Sequence, residues 1–341
     1  MLTVAAQCIS VSRSKSYLQI AFCSLFLQFT NACSTAQLQH PLGEHTNSVS
    51  SGHSTNEWPI FTLQSTQTWR MNLPKGQPFD ASGLLFQPDG SLLTVDNRAI
   101  GLWRIQFVPG TNGVNLLRVP DCFTREQLKP FAKDKIGIWD CEGIARDEEG
   151  RLYLCEEANR WILRCEPKTR SLEKLPIDWS SVSNYFSSDL NASFEGIAIG
   201  NGKLYVANER SNPVIIVVDL ITLKVTDHFV VTPKAPSFLN FLHYSDLYWF
   251  ENAVWILCRQ HRVVLKVDPA SHNVLSEFKY DDLEKELGYK TRVPGVGIME
   301  GLAVEKDFIW ICTDNNGLGT FNHPNDIRPT LVKCRRPDLK H

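Results

Sequence analysis

One four-residue pattern, Glu-Gly-[Ile/Leu]-Ala, sets the period of the whole chain. It occupies residues 142–145, 195–198 and 300–303, with 53 residues from 142 to 195 and 105 from 195 to 300. A degenerate copy at residues 245–247 falls midway through the longer interval, and a further one at residues 82–85 starts 60 residues before Glu142. Repetition at a period of about 50 residues, with several short strands per unit, is typical of a β-propeller.

Each copy continues in the same way, with a short apolar run, a tight polar turn and a second apolar run that ends in polar residues. The second runs occupy residues 92–97, 152–157, 204–209, 255–260 and 310–315. We therefore predict an all-β fold over residues 61–341, a propeller with five four-stranded antiparallel blades. Six blades result if a strand at residues 61–73 and the C-terminus together build one more.

Charge and cysteine usage exclude several classes. A net charge of −2 gives no electrostatic basis for binding nucleic acid or a polybasic contact with a membrane. The ten cysteines include no C-x-x-C pair, which argues against a zinc ribbon. Cys155, Cys258 and Cys312 lie in apolar runs and are expected to be buried thiols, whereas Cys141 is a candidate for a disulfide bridge.

Residues 1–33 have the form of an export signal. Arg13 and Lys15 precede an apolar stretch at residues 17–29, which is too short to span a bilayer. Cys33 resembles the cysteine at which bacterial lipoproteins are cleaved and lipidated, although Thr30 stands where leucine is usual. Ordinary secretion is the alternative.

Residues 34–60 are polar and predict a flexible tether between this signal and the propeller. We expect an exported monomer, in the periplasm, on the outer membrane as a lipoprotein or outside the cell. Membrane contact would come only through an N-terminal lipid.

Polar residues of different blades are expected to meet at one end of the channel. In an antiparallel pair, the start of the first strand and the end of the second lie at the same rim. Glu142, Glu195 and Glu300 begin first strands. Second strands end, in chain order, at Asp96, Glu156, Asn208, Arg259 and Asp314.

Clustered carboxylates raise each other's pKa unless a cation neutralises them. Several carboxylate and amide oxygens suit Ca²⁺ better than zinc. We predict Ca²⁺ on or near the channel axis, with ligands drawn from Glu142, Glu195, Glu300, Asp96, Asn208 and Asp314. The alternative is purely architectural: each repeat glutamate hydrogen-bonds only to the backbone of the next blade.

The fourth unit departs from the pattern, with Ser245 in place of glutamate and Arg259 in place of an acid. Arg98, Arg160 and Arg210 follow the other polar clusters. A cation with arginines beside it suits a phosphate, sulfate or carboxylate ligand. Alternatively, the arginines pair with the acids across blades.

In a hydrolase, a carboxylate that does not bind the metal would act as general base, and Glu156 and Glu209 are the candidates. Arg259 or Arg210 would steady an anionic group of the substrate. The sequence contains no Gly-x-Ser-x-Gly elbow and no His-Glu-x-x-His helix, which argues against a serine hydrolase of the α/β type and a zinc protease.

The Glu-Gly-[Ile/Leu]-Ala openings and the Leu-Tyr starts of second strands, at Leu152 and Leu204, resemble the phytase-like and SdiA-regulated propeller proteins of bacteria. The resemblance covers residues 79–334. It implies a calcium-type propeller with the esterase or phosphoesterase chemistry described as "esterase-like activity of phytase". The alternative class is a non-catalytic calcium-binding propeller that binds a ligand or partner at the cell envelope, which the degenerate fourth unit favours.

Overall fold

The structure is a computed structural model that describes residues 57–97, 101–137, 139–239 and 241–337. The expected export signal, Cys33, nearly all of the tether and Arg98 lie outside these residues. Within them, no helix combines the length and the apolar character needed to cross a membrane.

Strands dominate the described chain. Two of them precede the first repeat, β1 (Ile60–Thr62) and β2 (Gln64–Asn72). The first four repeats contribute four strands each: β3 (Ala81–Phe86), β4 (Leu92–Asp96), β5 (Leu102–Phe107), β6 (Gly113–Arg118), β7 (Cys141–Arg146), β8 (Leu152–Glu156), β9 (Trp161–Glu166), β10 (Ser171–Lys174), β11 (Phe194–Gly200), β12 (Lys203–Asn208), β13 (Val214–Asp219), β14 (Lys224–Phe229), β15 (Tyr244–Phe250), β16 (Ala253–Cys258), β17 (Val263–Val267) and β18 (Val274–Lys279). The fifth repeat contributes three: β19 (Met299–Val304), β20 (Phe308–Thr313) and β21 (Thr330–Arg335).

Helices occur only in the connections of the described chain. The two α-helices are α1 (Arg125–Leu128), which follows the first blade, and α2 (Asp281–Leu287), which follows the fourth. Single 3₁₀ turns occupy Pro74–Gly76, Lys129–Phe131, Ser180–Tyr185 and Arg259–His261. Thr124 caps α1 through a reciprocal pair of hydrogen bonds with Gln127, which explains why this short helix forms where it does.

The fifth blade is composite and closes the ring. Its outermost strand is β2, which pairs antiparallel with β21 so that Trp69 lies opposite Leu331. β2 also runs parallel to the outer strand of the first blade, with Arg70 opposite Gly113. The strand predicted at residues 61–73 therefore completes a fifth blade, and the described chain forms a five-bladed propeller without a sixth blade. β1 adds a parallel strand at the outer edge of the fourth blade.

In four of the five repeats, a glycine is the point where neighbouring first strands touch. A Cβ atom on Gly196 would lie 2.4 Å from the Cα of Asp246 in the next blade. A Cβ atom on Gly301 would lie 3.0 Å from the backbone nitrogen of Gly83, which joins the fifth blade to the first. Only glycine allows backbones to approach this closely, so glycine is required at these contacts between first strands.

Apolar side chains fill the spaces between blades. Tyr205 of the third blade stacks on Trp249 of the fourth, with ring centroids 5.6 Å apart. The described cysteines are buried free thiols, as predicted for three of them, and Cys141 forms no bridge. The cores between blades therefore hold the ring together by packing rather than by covalent links.

Candidate functional site at the channel mouth

Strand register decides which polar side chains reach the channel. Every first strand carries an irregularity in its ladder at the repeat, as β7 does between Cys141 and Ile144. Just before it, Cys141 pairs with Glu156, and Phe194 pairs with Asn208. Because opposed residues share a side of the sheet, Glu156 and Asn208 lie on the side of two residues that are buried in the apolar cores.

The side chain of the residue that follows each second strand lies on the side of the sheet opposite to Glu156 and Asn208. Its backbone N–H donates to the carbonyl of the residue two positions before the repeat, as Glu157 does to Asp140 at 2.9 Å and Arg259 to His243 at 3.1 Å. Since side chains alternate along a strand, these positions share a side with the glutamate of the repeat. The resulting sets are Asp140, Glu142 and Glu157; Ser193, Glu195 and Glu209; His243, Ser245 and Arg259; and Ile298, Glu300 and Asp314.

The structure brings six of the predicted site residues to this side. They are Glu142, Glu195, Glu209, Arg259, Glu300 and Asp314, and they interact electrostatically with one another. With Asp140 and Glu157 they form a ring of acidic and basic groups that we call the acidic mouth. Except for Asp140, which is half-buried, all are buried.

Other predicted site residues have local partners instead. Glu156 accepts hydrogen bonds from the backbone and side chain of Asn159, the nearer ones at 2.9 Å. Asn208 donates to the carbonyl of Asn212 at 3.0 Å, and Asp96 accepts from the backbone of Asp80 at 3.3 Å.

The arginines that follow the clusters also differ in position. Arg160 donates to the carbonyl of Ser187 at 2.8 Å and covers the ring of Phe186. Arg210, by contrast, contacts the carboxylate of Glu209 and the carbonyl of Asn191. Of these two, only Arg210 contacts a carboxylate of the mouth.

One group of carboxylates lies within the second blade. Asp140, Glu142 and Glu157 each place an oxygen within 4.8 Å of the other two. Burial, followed by the charges of Glu209 and Asp140, raises the pKa of Glu157 to about 9. Burial likewise raises the pKa of Glu142 well above its usual value, with Asp140 and Glu157 adding to the effect. These groups cannot all be ionised without a counter-charge.

A second group spans two blades. Glu195, Glu209 and His243 place their ligand atoms within 4.8 Å of one another, and Nε2 of His243 lies 2.6 Å from Oε1 of Glu209. Burial lowers the pKa of His243, against the opposing charge of Glu209. Burial also favours the neutral form of Glu209, but His243 and Arg210 outweigh it and lower the pKa of that carboxyl.

Arg259 links the fourth blade to the fifth. Its guanidinium contacts the carboxylate of Glu300, and its Nε donates to the carbonyl of Gly297 at 2.6 Å. Burial raises the pKa of Glu300 to about 8, although Arg259 acts to lower it. The arginine thus pairs with an acid across blades, which was one of the two alternatives for this residue.

The donor atoms of the mouth suit a hard cation. Seven carboxyl groups converge there: Asp140, Glu142, Glu157, Glu195, Glu209, Glu300 and Asp314. Within the described residues, Oε2 of Glu209 and Oε2 of Glu300 are buried without a hydrogen-bond partner. Carboxylate oxygens within about 5 Å of one another can share a Ca²⁺ ion, whose ligands lie at 2.3–2.6 Å.

Sequence reasoning missed Asp140, Glu157 and His243 as ligands. Asp140 and His243 lie two positions before the repeat, and alternation along the strand places them beside the glutamate position. Asp140 could have been found by that rule. His243 occurs in one blade only, so no repetition marks it.

A cavity of about 610 Å³ lies next to the mouth, between the connections that follow the third and fourth blades. Ile298 joins the two spaces, because it lines the cavity and its carbonyl accepts the backbone N–H of Asp314 at 2.9 Å. Phe238 and Phe321 give the cavity apolar surface, and Arg262 lines it together with Glu284, with which it forms an ion pair at 2.6 Å. Another cavity, of about 440 Å³, opens at the opposite end of the channel and contains none of the acidic mouth.

Comparison with known proteins points to one family. The family model described as "Phytase-like: Esterase-like activity of phytase" matches residues 77–317. None of the curated proteins compared with the sequence matches it.

Solved structures with a similar fold include the glutaminyl cyclase of Myxococcus xanthus. It is 14% identical, with a TM-score of 0.54, and the match covers 82% of this chain and 98% of that one. The PQQ-bound aldose sugar dehydrogenase of Streptomyces coelicolor is 13% identical, with a TM-score of 0.45, over 81% of this chain and 98% of that one. At this level of identity, the first of these shows the fold alone.

Proposed function

Since that family model covers more than half of the sequence, the chain belongs to the phytase-like family, and we propose that it is an exported calcium-dependent hydrolase of phosphate or carboxylic esters. The observation that supports this most directly is the acidic mouth itself. Carboxyl groups whose pKa values are raised by burial and by one another's charges favour a cation, and a mouth that contains Arg259, with Arg210 in contact with Glu209, suits an anionic substrate.

Calcium would be held chiefly by Asp140, Glu142 and Glu157. These residues offer hard oxygen ligands from one blade within 4.8 Å of one another, so in this proposal the ion would lie against the second blade and not on the channel axis. When bound, Ca²⁺ would polarise a phosphoryl or carbonyl oxygen and stabilise negative charge that develops on it. Of the ligands expected from the sequence, Glu142 belongs to this group, whereas Glu195 belongs to the group that contains His243.

The arginines would position the substrate. Arg259 is held in place by Glu300 and by the carbonyl of Gly297, so its remaining N–H groups have a fixed direction. Arg210 is fixed in the same manner by Glu209 and the carbonyl of Asn191. A guanidinium that is already ordered loses little entropy when it binds an anionic group.

A general base must face the substrate and must not already be engaged by other charged groups. Of the two candidates from the sequence, Glu156 lies on the side of Cys141 in the blade, and Glu209 is engaged by Arg210 and His243. Asp314 lies in the mouth but belongs to neither of the two clusters of possible metal ligands. Its carboxylate accepts a hydrogen bond from the backbone N–H of Asn316 at 2.6 Å. We therefore assign proton abstraction from the attacking water to Asp314.

The uncharged part of the ester would occupy the cavity beside the mouth. Ile298, Phe238 and Phe321 form its apolar surface, and Ile298 connects it to Asp314. An aryl or acyl ester is therefore a better substrate in this proposal than a highly charged polyphosphate.

Hydrolysis assays with aryl phosphates and aryl carboxylates test this function. We expect turnover that requires Ca²⁺ and that falls about 10²–10⁴-fold in Asp314→Asn, the range of general-base catalysis. Glu157→Gln should raise the Ca²⁺ concentration required, and Asp307→Asn, on the outer surface, should behave as wild type. A protein that binds Ca²⁺ but hydrolyses none of these esters would instead be the non-catalytic binding propeller.

Export and lipidation are part of the same proposal. Residues 1–33 combine a basic start, an apolar stretch and Cys33, and residues 34–60 would tether the propeller to the envelope as a monomer. Mass spectrometry of the native N-terminus decides between the alternatives. A lipidated Cys33 indicates an outer-membrane lipoprotein, a free terminus after the signal indicates secretion, and an intact Met1 would refute export.

A further inference from the structure

The group that spans the third and fourth blades differs chemically from the calcium ligands. It combines Glu195 and Glu209 with the imidazole of His243, and all three side chains are buried. Ca²⁺ prefers oxygen ligands, whereas an imidazole nitrogen suits zinc and other first-row transition metals. The two groups are therefore suited to different ions.

The unsatisfied atoms of this group point to a ligand. Nε2 of His243 already has one partner, the Oε1 atom of Glu209 at 2.6 Å, but the other polar atoms of these two side chains need further partners. Within the described residues, Nδ1 of His243 and Oε2 of Glu209 lack hydrogen-bond partners, although His243 is only 3% exposed and Glu209 only 1%. Buried polar groups of native proteins are nearly always satisfied, so convergent unsatisfied donor atoms need an explanation.

Charge balance supports a second cation. If all seven carboxyl groups of the mouth are ionised, Arg259 and the adjoining Arg210 reduce their charge to five net negative charges. One Ca²⁺ ion leaves three of these, and a second divalent ion leaves one. A single cation therefore leaves a buried excess of negative charge that two cations nearly remove.

We propose that Glu195, Glu209 and His243 form a second metal site, which takes a first-row divalent ion such as Zn²⁺ beside the calcium site of Asp140, Glu142 and Glu157. The site joins two blades, because Glu195 and Glu209 belong to the third and His243 precedes the first strand of the fourth. Arg210 contacts Oε1 of Glu209, which leaves Oε2 as the oxygen available to the ion. Only the charge balance in this inference rests on the proposed calcium site.

Metal analysis of the full mature chain tests the proposal. Protein is stripped with chelator, equilibrated with excess Ca²⁺, titrated with Zn²⁺ and freed of unbound metal before elemental analysis. We expect one equivalent of Zn²⁺ in addition to Ca²⁺. His243→Gln should keep Ca²⁺ and bind Zn²⁺ at least tenfold more weakly, whereas the control His228→Gln, at an exposed position of β14, should bind both as wild type does.

The two sites are separated by a complementary variant. Glu157→Gln should bind Ca²⁺ more weakly and bind Zn²⁺ as wild type does. If the wild-type protein binds Zn²⁺ through His243 but does not bind Ca²⁺, the proposed function is wrong about calcium. The second metal site would still stand. Zn²⁺ that displaces Ca²⁺ mole for mole in the wild type, or that binds His243→Gln unchanged, would overturn the second site.

A spectroscopic measurement covers the case in which His243→Gln does not fold. X-ray absorption of the Zn²⁺-loaded wild type should show one imidazole among the ligands, with Zn–N at about 2.0–2.1 Å. A spectrum of oxygen ligands alone would overturn the proposal without any variant.

Discussion

The carboxylate of Asp246 in the fourth blade accepts a hydrogen bond from the backbone N–H of Leu302 in the fifth blade, at 2.7 Å. Asp246 stands where the other repeats have glycine, and its side chain is buried. Burial raises the pKa of this carboxyl well above its usual value, while the N–H groups of Leu302 and Leu247 act to lower it. The fourth repeat is degenerate in sequence, but its aspartate makes a specific contact with the next blade.

Replacing Asp246 by alanine should destabilise the propeller by about 1–3 kcal/mol, because the buried N–H of Leu302 is left without a partner. Denaturant unfolding measures the change. Asp307→Ala, at an exposed turn between β19 and β20, should stay within about 0.5 kcal/mol of wild type. Equal effects of the two substitutions would contradict a structural role for Asp246.

The glycine of the third repeat should tolerate no side chain. In Gly196→Ala, the new Cβ would lie 2.4 Å from the Cα of Asp246, and its nearest neighbours are all backbone atoms of Asp246 and Leu247, which cannot move aside as a flexible side chain could. We expect a loss of stability at or above the 1–3 kcal/mol of an overpacked core. Gly113→Ala is the matched control, since its nearest neighbour would be the flexible side chain of Asn72 at 3.5 Å.

Stability of the metal-free protein should fall as pH rises. Glu157 and Glu300 have pKa values of about 9 and about 8 when folded, both above the value near 4.5 of an unfolded glutamate. The folded state therefore holds more protons between pH 5 and 9, and the free energy of unfolding decreases with pH across that window.

Urea titrations at several pH values, in chelator and in Ca²⁺, check this dependence. Added Ca²⁺ should flatten the slope, since the ion binds the ionised carboxylates, and Glu157→Gln should reduce the slope in chelator. A metal-free protein that gains stability from pH 5 to 9 would show that these carboxyl groups are ionised in the fold without a cation.

Arg259 and Glu300 should be energetically coupled across two blades. Above pH 8, where Glu300 is ionised, removing one partner of this buried ion pair should cost about 3–5 kcal/mol, because the other charge remains buried and unpaired. The double variant Arg259→Met with Glu300→Gln should therefore lose less than the sum of the two single variants, by about 0.5–3 kcal/mol.

The matched comparison is the pair of Arg336 with Glu251 on the outer surface, where the glutamate side chain is 39% exposed. Its coupling should be about 0–1 kcal/mol. Similar coupling in both pairs would mean that water reaches Arg259 as freely as it reaches Arg336.

The repeat predicted the blades correctly because two constraints act on the same residues. Gly143, Gly196 and Gly301 are needed for contact between first strands, and the apolar runs beside them fill the cores between blades. The partner of β21 was harder to assign, because β2 precedes the first repeat and has no repeat of its own.

The positions of the polar residues were predicted less well, since one residue of register moves a side chain to the other side of a strand. Aligning the second strands by sequence equates Glu156 with Asp314. The ladder instead equates Glu157 with Asp314, because their N–H groups donate to Asp140 and Ile298, each two positions before the repeat. The irregularity at each repeat leaves no signature in the sequence that fixes this register.

The composite fifth blade also sets the order in which the chain can fold. β2 is synthesised early, but its antiparallel partner β21 ends at Arg335. The hydroxyl of Thr66 therefore cannot donate to the carbonyl of Lys333 until most of the chain has been synthesised. At a synthesis rate of about 5–20 residues per second, that interval lasts tens of seconds. During this time the first blade presents an open edge to any other strand. Until the last strand arrives, the exposed edge of β2 is therefore the place where an incomplete propeller would pair with another chain.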